Sequence, residues 1–423
     1  MMIPALILFA ITYVLMIIFG KWRQYIALAS GLIFILSGML PLKNIIGTID
    51  FNVILMIAGT MGLVALFTES KMPALLADVI MEKVPNIQMA AVALALFAGI
   101  ISAFVDNVAT VLMIAPVALE ICKKLKVNPV PFIIAIAVSS NLQGAATLVG
   151  DTTAIMLGSA MDMSFIDFFW FKGKPSIFFA VEIGAVISAI ILAFIFRKEK
   201  APIPRATERT KVTDMVPSYL LLIMLALLIG VSFIPNKPAE TNGIICCALL
   251  VIGLVYTLIK TKKFSSVVEP LKEIDFTTIG ILLGLFLMIG GIEAQGVIAE
   301  AGKLLKSVGA ENPFLLYTIL VWGSVVISAF IDNIPYVATM IPIIAALTSA
   351  ELDPVPLYFG LLSGATLGGN CTPIGASANI TGIGILRKEG YDVKNKDFFR
   401  IGIPFTLAAI IPAYIYIWLV YGI

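Results

Sequence analysis

Apolar stretches long enough to cross a bilayer alternate with short polar segments along nearly the whole chain. A transmembrane helix needs roughly 20 consecutive apolar residues. In the first half, spans are predicted at residues 2–20, 25–41, 51–68 and 176–196. In the second half, spans are predicted at residues 218–234, 244–259, 276–292 and 401–421. The pattern therefore predicts an all-α polytopic membrane protein.

The two halves share short motifs in the same order. The segment "ISAFVDNVATVLMIAP" at residues 101–116 matches "ISAFIDNIPYVATMIP" at residues 327–342. Further on, "NPVPF" at residues 128–132 matches "DPVPL" at residues 353–357. Upstream, a third group of residues aligns with its counterpart, Asp50, Phe51 and Gly59 with Asp275, Phe276 and Gly284. Matches at nearly constant separation indicate an internal duplication.

Each half contains two interruptions that an ordinary span would not contain. The first is a polar pair between short apolar arms, Asp106-Asn107 and again Asp332-Asn333, which predicts a re-entrant hairpin. The second is glycine-rich, where "GAATLVGDTTAI" from Gly144 aligns with "GNCTPIGASANI" from Gly369. Half-helices are predicted on both sides of this break, at residues 129–141 and 152–161 in the first half. Each half therefore contains one hairpin and one discontinuous helix.

The number of crossings predicts the orientation of the two halves. Because hairpins add no net crossing, each half crosses about five times, and an odd number inverts the second half relative to the first. We therefore expect a first inverted repeat at 1–196, a cytoplasmic linker at 197–215 and a second inverted repeat at 216–423. The positive-inside rule agrees, because this orientation places most of the 28 basic residues on the cytoplasmic side. Only six then lie outside: Lys43, Lys172, Lys174, Lys237, Lys303 and Lys306. Both termini are then predicted outside the cell membrane.

Composition supports this class and removes several kinds of chemistry. The chain is 60% hydrophobic and 13% charged, whereas roughly a quarter of the residues in a soluble domain are charged. It contains no histidine, so proton exchange would fall to carboxylates. Its cysteines show neither a metal-binding spacing nor a secreted disulfide pattern: Cys122, Cys246, Cys247 and Cys371. We expect no metal, cofactor or nucleic-acid partner.

The interruptions carry the candidate binding chemistry. A non-helical backbone inside a membrane must line a cavity or be buried in protein, and helix ends there bring partial charges that can bind ions. Gly144 permits close approach of the chain, and Thr147 and Thr152 add hydroxyl ligands. The tips and breaks therefore predict an ion or solute site near the middle of the membrane, with one wall from each half. The alternative for Asp106 and Asp332 is simple capping of the following helix.

Asp151 breaks the symmetry of the repeat, because its counterpart is Ala376. The repeated architecture therefore does not require a carboxylate here, and an intramembrane carboxylate is a candidate for function. Loss of hydration favours the protonated form of a buried carboxylate. We therefore take Asp151, Asp106 and Asp332 as the candidates for proton coupling.

The motifs "SAFVDNVATVLMIAPVALEI", "SSNLQGAATLVGDTTAIMLGSAMDMSF" and "GATLGGNCTPIGASANI" resemble those of the ion transporter superfamily. The resemblance covers essentially the full chain and is closest to the branch of arsenite permeases, related sodium–proton antiporters and the melanocyte P-protein. It implies inverted repeats, commonly in a homodimer. It also implies a shared set of site residues: Asp106, Asn107, Asn141, Thr147, Asp151, Asp332, Asn333, Thr366, Asn370, Thr372 and Asn379.

The chain departs from its relatives at two motifs. Members of this branch often have Gly-Asp-Pro-Pro-Asn after the first break, whereas here Thr152, Thr153 and Ala154 follow Asp151. The Ser-Asn-Thr signature of the divalent-anion:sodium symporters is also absent, because Leu142 follows Ser140-Asn141. The second departure weakens a dicarboxylate assignment.

These observations favour a proton-coupled secondary transporter, an efflux antiporter for arsenite or antimonite. A sodium–proton antiporter is an alternative, as is a small-anion or dicarboxylate transporter, which the absence of Lys and Arg from the motifs disfavours. The expected partners are a small inorganic ion or oxyanion, protons, sodium in the alternative, and the bilayer. A passive channel and an intramembrane aspartyl protease using Asp106 and Asp332 are further alternatives. No phosphate-binding loop of a primary pump is present.

Overall fold

The computed structural model describes residues 1–203, 209–309, 312–347 and 353–422. Among these residues, twenty α-helices provide nearly all the regular structure, and the strands form one short antiparallel ribbon, β1 (Trp170–Phe171) with β2 (Lys174–Pro175). The predicted all-α fold is confirmed, with this ribbon as its one departure. Its turn contains Gly173 at a φ of 75°, a conformation that glycine adopts without strain.

The helices of the first half are α1 (Met2–Ile18), α2 (Arg23–Leu36), α3 (Ile45–Thr48), α4 (Phe51–Glu69), α5 (Met72–Met81), α6 (Ile87–Ser102), α7 (Asn107–Leu125), α8 (Val130–Gly144), α9 (Thr152–Ala160) and α10 (Ile177–Ile195). Those of the second half are α11 (Val216–Val231), α12 (Thr241–Thr261), α13 (Ser265–Lys272), α14 (Phe276–Ala294), α15 (Val297–Gly309), α16 (Pro313–Ser328), α17 (Asn333–Leu347), α18 (Val355–Gly368), α19 (Ser377–Lys388) and α20 (Asn395–Tyr421). From α4 to α10, each helix has a counterpart in the same order from α14 to α20. The repeat seen in the motifs is therefore also a repeat of helices.

Five helices in the described part of the chain are long and apolar enough to cross a membrane alone: α4, α10, α12, α14 and α20. Helices α1 and α2 pass the same test as a pair, with a bend of 115° between them. The predicted span at residues 25–41 is too long, because α2 ends at Leu36. Gly38 then takes a φ of 74° and Pro41 follows, and neither conformation continues a helix. The other apolar helices are shorter, including α6, α8, α16 and α17 of the interrupted segments.

Helices of opposite halves pair through matching glycines. A Cβ on Gly59 of α4 would lie 2.5 Å from a Cys246 backbone atom in α12, and a Cβ on Gly284 of α14 would lie 2.3 Å from an Ala27 backbone atom in α2. Small residues of this kind let helix backbones approach closely inside a membrane, where van der Waals contact provides much of the association energy. The aligned glycines therefore join the first half to the second at two equivalent crossings.

The broken segments occupy the interior of the molecule. Nearly every residue of α8 and of α18 is buried, including the polar residues near their C-terminal ends. Helix α8 packs on α6 and α7, and α18 packs on α16 and α17. The second half-helices cross between the halves, because α9 packs on α17 and α19 packs on α7. This exchange brings both hairpin tips and both breaks into one region.

Ion pairs join loops that the sequence predicts on the same side of the membrane. Lys123 contacts Glu389 at 2.5 Å, and Arg209 contacts Glu82 at 2.6 Å, all at predicted cytoplasmic positions. On the other side, Lys172 contacts Asp353 at 3.4 Å. The linker residues 204–208, which include Arg205, lie outside the described residues.

Candidate functional site

Each glycine-rich break is anchored to the tip of its own hairpin. In the first half, the Thr147 hydroxyl donates to the Ala103 carbonyl oxygen, and in the second half the Thr372 hydroxyl donates to the Ala329 carbonyl oxygen. Because both hydroxyl protons bond backbone carbonyls, Thr147 and Thr372 hold the breaks in place. They can still accept a hydrogen bond from a ligand.

Gly150 and Gly375 lie where the breaks and hairpins meet, backbone against backbone. A Cβ on Gly150 would lie 2.6 Å from the Gly144 oxygen and 2.9 Å from the Ser102 oxygen. A Cβ on Gly375 would meet the Gly369 and Ser328 oxygens at 2.6 and 2.9 Å. Real Cβ atoms do not approach carbonyl oxygens this closely, so both positions exclude any other residue unless the backbone moves.

Buried side-chain amides connect the two halves. Asn107 Nδ2 at the first tip donates to Asn141 Oδ1 at 3.0 Å. Asn141 Nδ2 in turn donates to the Thr366 carbonyl oxygen at 2.7 Å and to Asn370 Oδ1 at 3.1 Å. Asn370 Nδ2 continues to the Val138 carbonyl oxygen at 2.9 Å. Inside a protein such a network is strong when all its members are paired and costly when one is removed.

Asp151 lies in a second network that also joins the halves. Its side chain is buried, with 4% of the residue exposed. Asp151 Oδ2 accepts from the Thr153 hydroxyl at 3.0 Å and from Asn333 Nδ2, at the second tip, at 3.3 Å. The Thr153 hydroxyl also lies 3.0 Å from the Thr366 hydroxyl of α18. Asp106 and Asp332 both lie within electrostatic range of Asp151, so the three predicted carboxylates occupy one region.

The two tip carboxylates have different partners. Asp106 Oδ2 accepts from the backbone amides of Val108 and Ala109, at 3.0 and 3.2 Å. This is the capping that the sequence offered as the alternative for Asp106. Asp106 also lines a cavity of 620 Å³ between α4, α7 and α13, together with four other carboxylates and one lysine: Glu69, Glu269, Lys272, Glu273 and Asp275. Asp332 Oδ1 likewise accepts from the Ile334 amide at 3.4 Å, but its Oδ2 contacts Arg23 Nη1 at 3.0 Å and accepts from the Ser377 hydroxyl at 3.3 Å.

The remaining predicted residues lie in the breaks. Asn379 Nδ2 donates to the Gly369 and Thr372 carbonyl oxygens, at 3.0 and 3.1 Å, and closes the second break. Its Oδ1 is buried and has no hydrogen-bond partner among the described residues. Thr152 is buried at the start of α9, and Gly144 ends α8. Each predicted site residue lies at a tip, in a break or on a helix next to a break, as Asn141 does on α8 and Thr366 on α18.

Sequence reasoning gave Thr153 a minor place and missed the contacts of Arg23, Ser102 and Ser140. The sequence shows Thr153 only as one of the residues that follow Asp151, whereas in the structure it bridges Asp151 to Thr366. Arg23 pairs with Asp332, which lies far from it in the chain. Ser140 Oγ lies 3.0 Å from Ser102 Oγ and 3.0 Å from the Asn107 carbonyl oxygen, which accepts its proton. Their motif positions, "ISAF" and "SSN", were the available signal.

Residues 13–364 match the model of a family described as a citrate transporter. Among curated relatives, a 46 kDa membrane protein of Mycobacterium leprae is 34% identical over 76% of this chain and 74% of its own length. The P protein of Homo sapiens is 26% identical over 96% of this chain and 57% of its own length, which confirms the predicted resemblance to that branch.

A solved structure has a similar fold. The YdaH transporter of Alcanivorax borkumensis, described as having an unusual topology, superposes with a TM-score of 0.61 and 14% sequence identity. The match covers 90% of this chain and 88% of that one. At this identity the comparison shows the fold alone, which is that of a polytopic membrane protein. The chain is a membrane transporter and not an enzyme, and it belongs to the citrate transporter family.

Proposed function

We propose that the protein is a proton-coupled secondary transporter in which Asp151 exchanges a proton during each transport cycle. The observation that carries this proposal is the position of Asp151, a buried carboxylate in the first break that accepts an amide hydrogen bond from Asn333 in the second hairpin. A carboxylate buried within the membrane is rare, and such residues commonly serve proton or ion transfer. The charge state of Asp151 also affects contact between the halves, so loss of the proton changes the site that holds the substrate.

Asp106 supplies a route between Asp151 and water. It lies within electrostatic range of Asp151 and lines the 620 Å³ cavity, whose wall includes Glu69 at the end of α4 and residues of the amphipathic helix α13. Carboxylates along such a wall attract protons and cations. In this proposal Asp106 relays protons between the cavity and Asp151.

For the substrate, a neutral polyhydroxy solute of the arsenite or antimonite type fits the buried groups well. The network around Asp151 and Asn141 consists of side-chain amides, hydroxyls and backbone carbonyls, which donate and accept hydrogen bonds without carrying positive charge. A bare multivalent anion would instead need cationic partners or many convergent amides. We therefore propose efflux of arsenite or antimonite in exchange for protons. A sodium ion is the alternative for the same oxygen-rich site.

A carboxylate anion is the second candidate, because the matched family model is described as a citrate transporter. The breaks supply backbone amides that can bind anions, and a citrate anion accompanied by a cation would place less negative charge on the site.

The experiment is flux into proteoliposomes that contain the purified protein. Arsenite, antimonite, sodium and citrate, the last with and without Mg²⁺, are tested with an imposed pH gradient and without one. The proposal expects one substrate to accumulate against its gradient only when the proton gradient is present. Equal flux with and without the gradient would instead identify a passive channel.

We also propose the inverted arrangement predicted above, with repeats at residues 1–196 and 216–423. Both termini then lie outside the cell membrane and the linker lies in the cytoplasm. The protein is expected to act as a homodimer. The paired helices and the ion pairs between predicted same-side loops support the arrangement of repeats.

A further inference from the structure

The two hairpin tips share the Asp-Asn pair and begin their helices in the same way, but the charged groups around them differ. Each has an Asp at the helix N-cap and an Asn at the first helical position. In two inverted repeats, equivalent tips provide two equivalent places where a cation can sit beside a carboxylate. Whether both places are available depends on what already occupies them.

The place beside Asp332 is occupied by the protein itself. Arg23 Nη1 contacts Asp332 Oδ2 at 3.0 Å, and the two side chains are 30% and 14% exposed. The same carboxylate receives the Ser377 hydroxyl at 3.3 Å. Arg23 and Asp332 line a cavity of 230 Å³ together with Tyr13 of α1. The Tyr13 hydroxyl donates to the Pro335 carbonyl oxygen at 2.7 Å. A guanidinium therefore stands beside this tip, and α1 and α2 hold it there.

The place beside Asp106 has no such occupant. Among the described residues, no Lys or Arg nitrogen lies within 4.0 Å of an Asp106 oxygen. Its partners are two backbone amides and the open 620 Å³ cavity.

The helix crossings identify the counterpart of Arg23. Gly284 meets Ala27, and its aligned partner Gly59 meets Cys246, so Ala27 and Cys246 are equivalent. Arg23 precedes Ala27 by one helical turn, and Asn242 precedes Cys246 by the same distance. Asn242 is buried and carries no charge, and its backbone neighbour Gly243 donates to Asn52 Oδ1 at 2.9 Å. The first half therefore has no built-in cation at the position of Arg23.

We propose that Arg23 permanently occupies one of two symmetry-related cation positions, so that the exchangeable position is the one beside Asp106. This inference rests on the proposed function, since it assigns the number of coupling cations at the same site. A carrier with both positions free would exchange two coupling cations, whereas this chain exchanges one. The charged and titratable groups facing Asp332 are Arg23 from α2, Tyr13 from α1 and Asp151 from the first break.

Arg23→Gln tests the inference, because it removes the built-in cation and leaves the Asp332 carboxylate beside the tip. The measurement is the unfolding temperature of the purified protein in sodium chloride against choline chloride at equal ionic strength. We expect sodium to raise the unfolding temperature of Arg23→Gln by roughly 2 °C or more beyond its effect on the wild type. In the double variant Arg23→Gln/Asp332→Asn this extra effect should vanish, and Arg23→Lys should behave as the wild type.

Two results would overturn the inference. One is an identical sodium response in the wild type, Arg23→Gln and the double variant. The other applies if Arg23→Gln does not fold. The double variant has neither charge and should then recover folding. If it does not recover folding, Arg23 acts through other contacts and the inference is wrong. Thermal unfolding can be measured without transport, so the two proposals can fail separately. If no substrate is transported but sodium stabilises Arg23→Gln as expected, only the proposed function is rejected.

Discussion

Asn333 Nδ2 at the tip of the second hairpin lies 3.3 Å from Asp151 Oδ2 in the first break, and this hydrogen bond joins the two halves at the candidate site. Ala376, the counterpart of Asp151, has no polar side chain and cannot accept a hydrogen bond from Asn107 at the first tip. There Asn107 binds Asn141 on α8. The halves therefore share a backbone design but divide the chemistry unequally.

Asp151→Asn should abolish pH-driven transport while leaving the fold intact. The substitution keeps an oxygen that can accept from Thr153 and Asn333, but it removes the group that titrates. We expect at least about a tenfold loss of proton-driven flux and a change of only a few degrees in the unfolding temperature. Flux is measured in proteoliposomes between pH 6 and 8.

Asp50→Asn is the matched control for that variant. Asp50 caps α4 through the Val53 amide at 3.0 Å, and its other carboxylate oxygen accepts from the Ser159 hydroxyl near the end of α9 that is remote from Asp151. Asn is an equally good cap and keeps an oxygen that can accept a hydrogen bond. Its flux should keep the wild-type pH profile. If Asp151→Asn also keeps this profile, the exchanged proton belongs to another carboxylate, with Asp106 first.

Asn141→Leu should destabilise the protein strongly. The side chain serves the Asn107 amide, the Thr366 carbonyl oxygen and Asn370 Oδ1, and a leucine leaves all three without this partner. We expect a loss of roughly 3 kcal/mol in the free energy of unfolding, read as a lower unfolding temperature. Ser363→Ala is the control, because the buried Ser363 hydroxyl has no partner among the described residues. Equal effects of the two substitutions would argue against the amide network.

Gly150→Ala should be poorly tolerated, because its Cβ would lie 2.6 Å from the Gly144 oxygen. We expect a destabilisation of about 2 kcal/mol or more and a shifted first break, measured by thermal unfolding and by flux. Gly375→Ala should behave similarly. Gly384→Ala in α19 is the control, since its Cβ meets no atom within 4 Å. A wild-type unfolding temperature in Gly150→Ala would contradict the close backbone contact.

Single cysteines at Asn128 and Asp353 should react with a membrane-impermeant maleimide from opposite faces. The two residues are equivalent, because each caps its helix through the amide two residues later, Val130 at 3.0 Å and Val355 at 3.1 Å. Inverted repeats place them on opposite sides. Lys124 and its counterpart Ser349 offer the same comparison, but Ser349 lies outside the described residues. Labelling of both positions from one face would rule out the inversion.

The motifs of the sequence predicted the helix order and the meeting of the tips and breaks. The length of the apolar stretches, the aligned glycines and the repeated Asp-Asn pair are local signals that can be read directly from the sequence. Contacts between distant helices left no such signal. The pairing of Arg23 with Asp332 depends on where α2 crosses α14, and a basic residue near a helix end also satisfies the positive-inside rule. Helix α2 ends before Gly38, which has a positive φ, and is therefore shorter than predicted. Helix α20 begins at Asn395, six residues before the predicted span, because its first turns contain charged residues that an apolar-length criterion leaves out.

The crossing of half-helices between the repeats has a consequence for biosynthesis. When Asp151 is added to the growing chain, Asn333 is still 182 residues from being made, and synthesis at 5–20 residues per second takes roughly 10–35 s to reach it. Asn141 likewise cannot contact Thr366 and Asn370 until these have been synthesised, and Arg23 cannot pair with Asp332 before that residue is made. The first half must therefore enter the membrane before these contacts between the halves can form, and the site is completed only after the second half has been inserted.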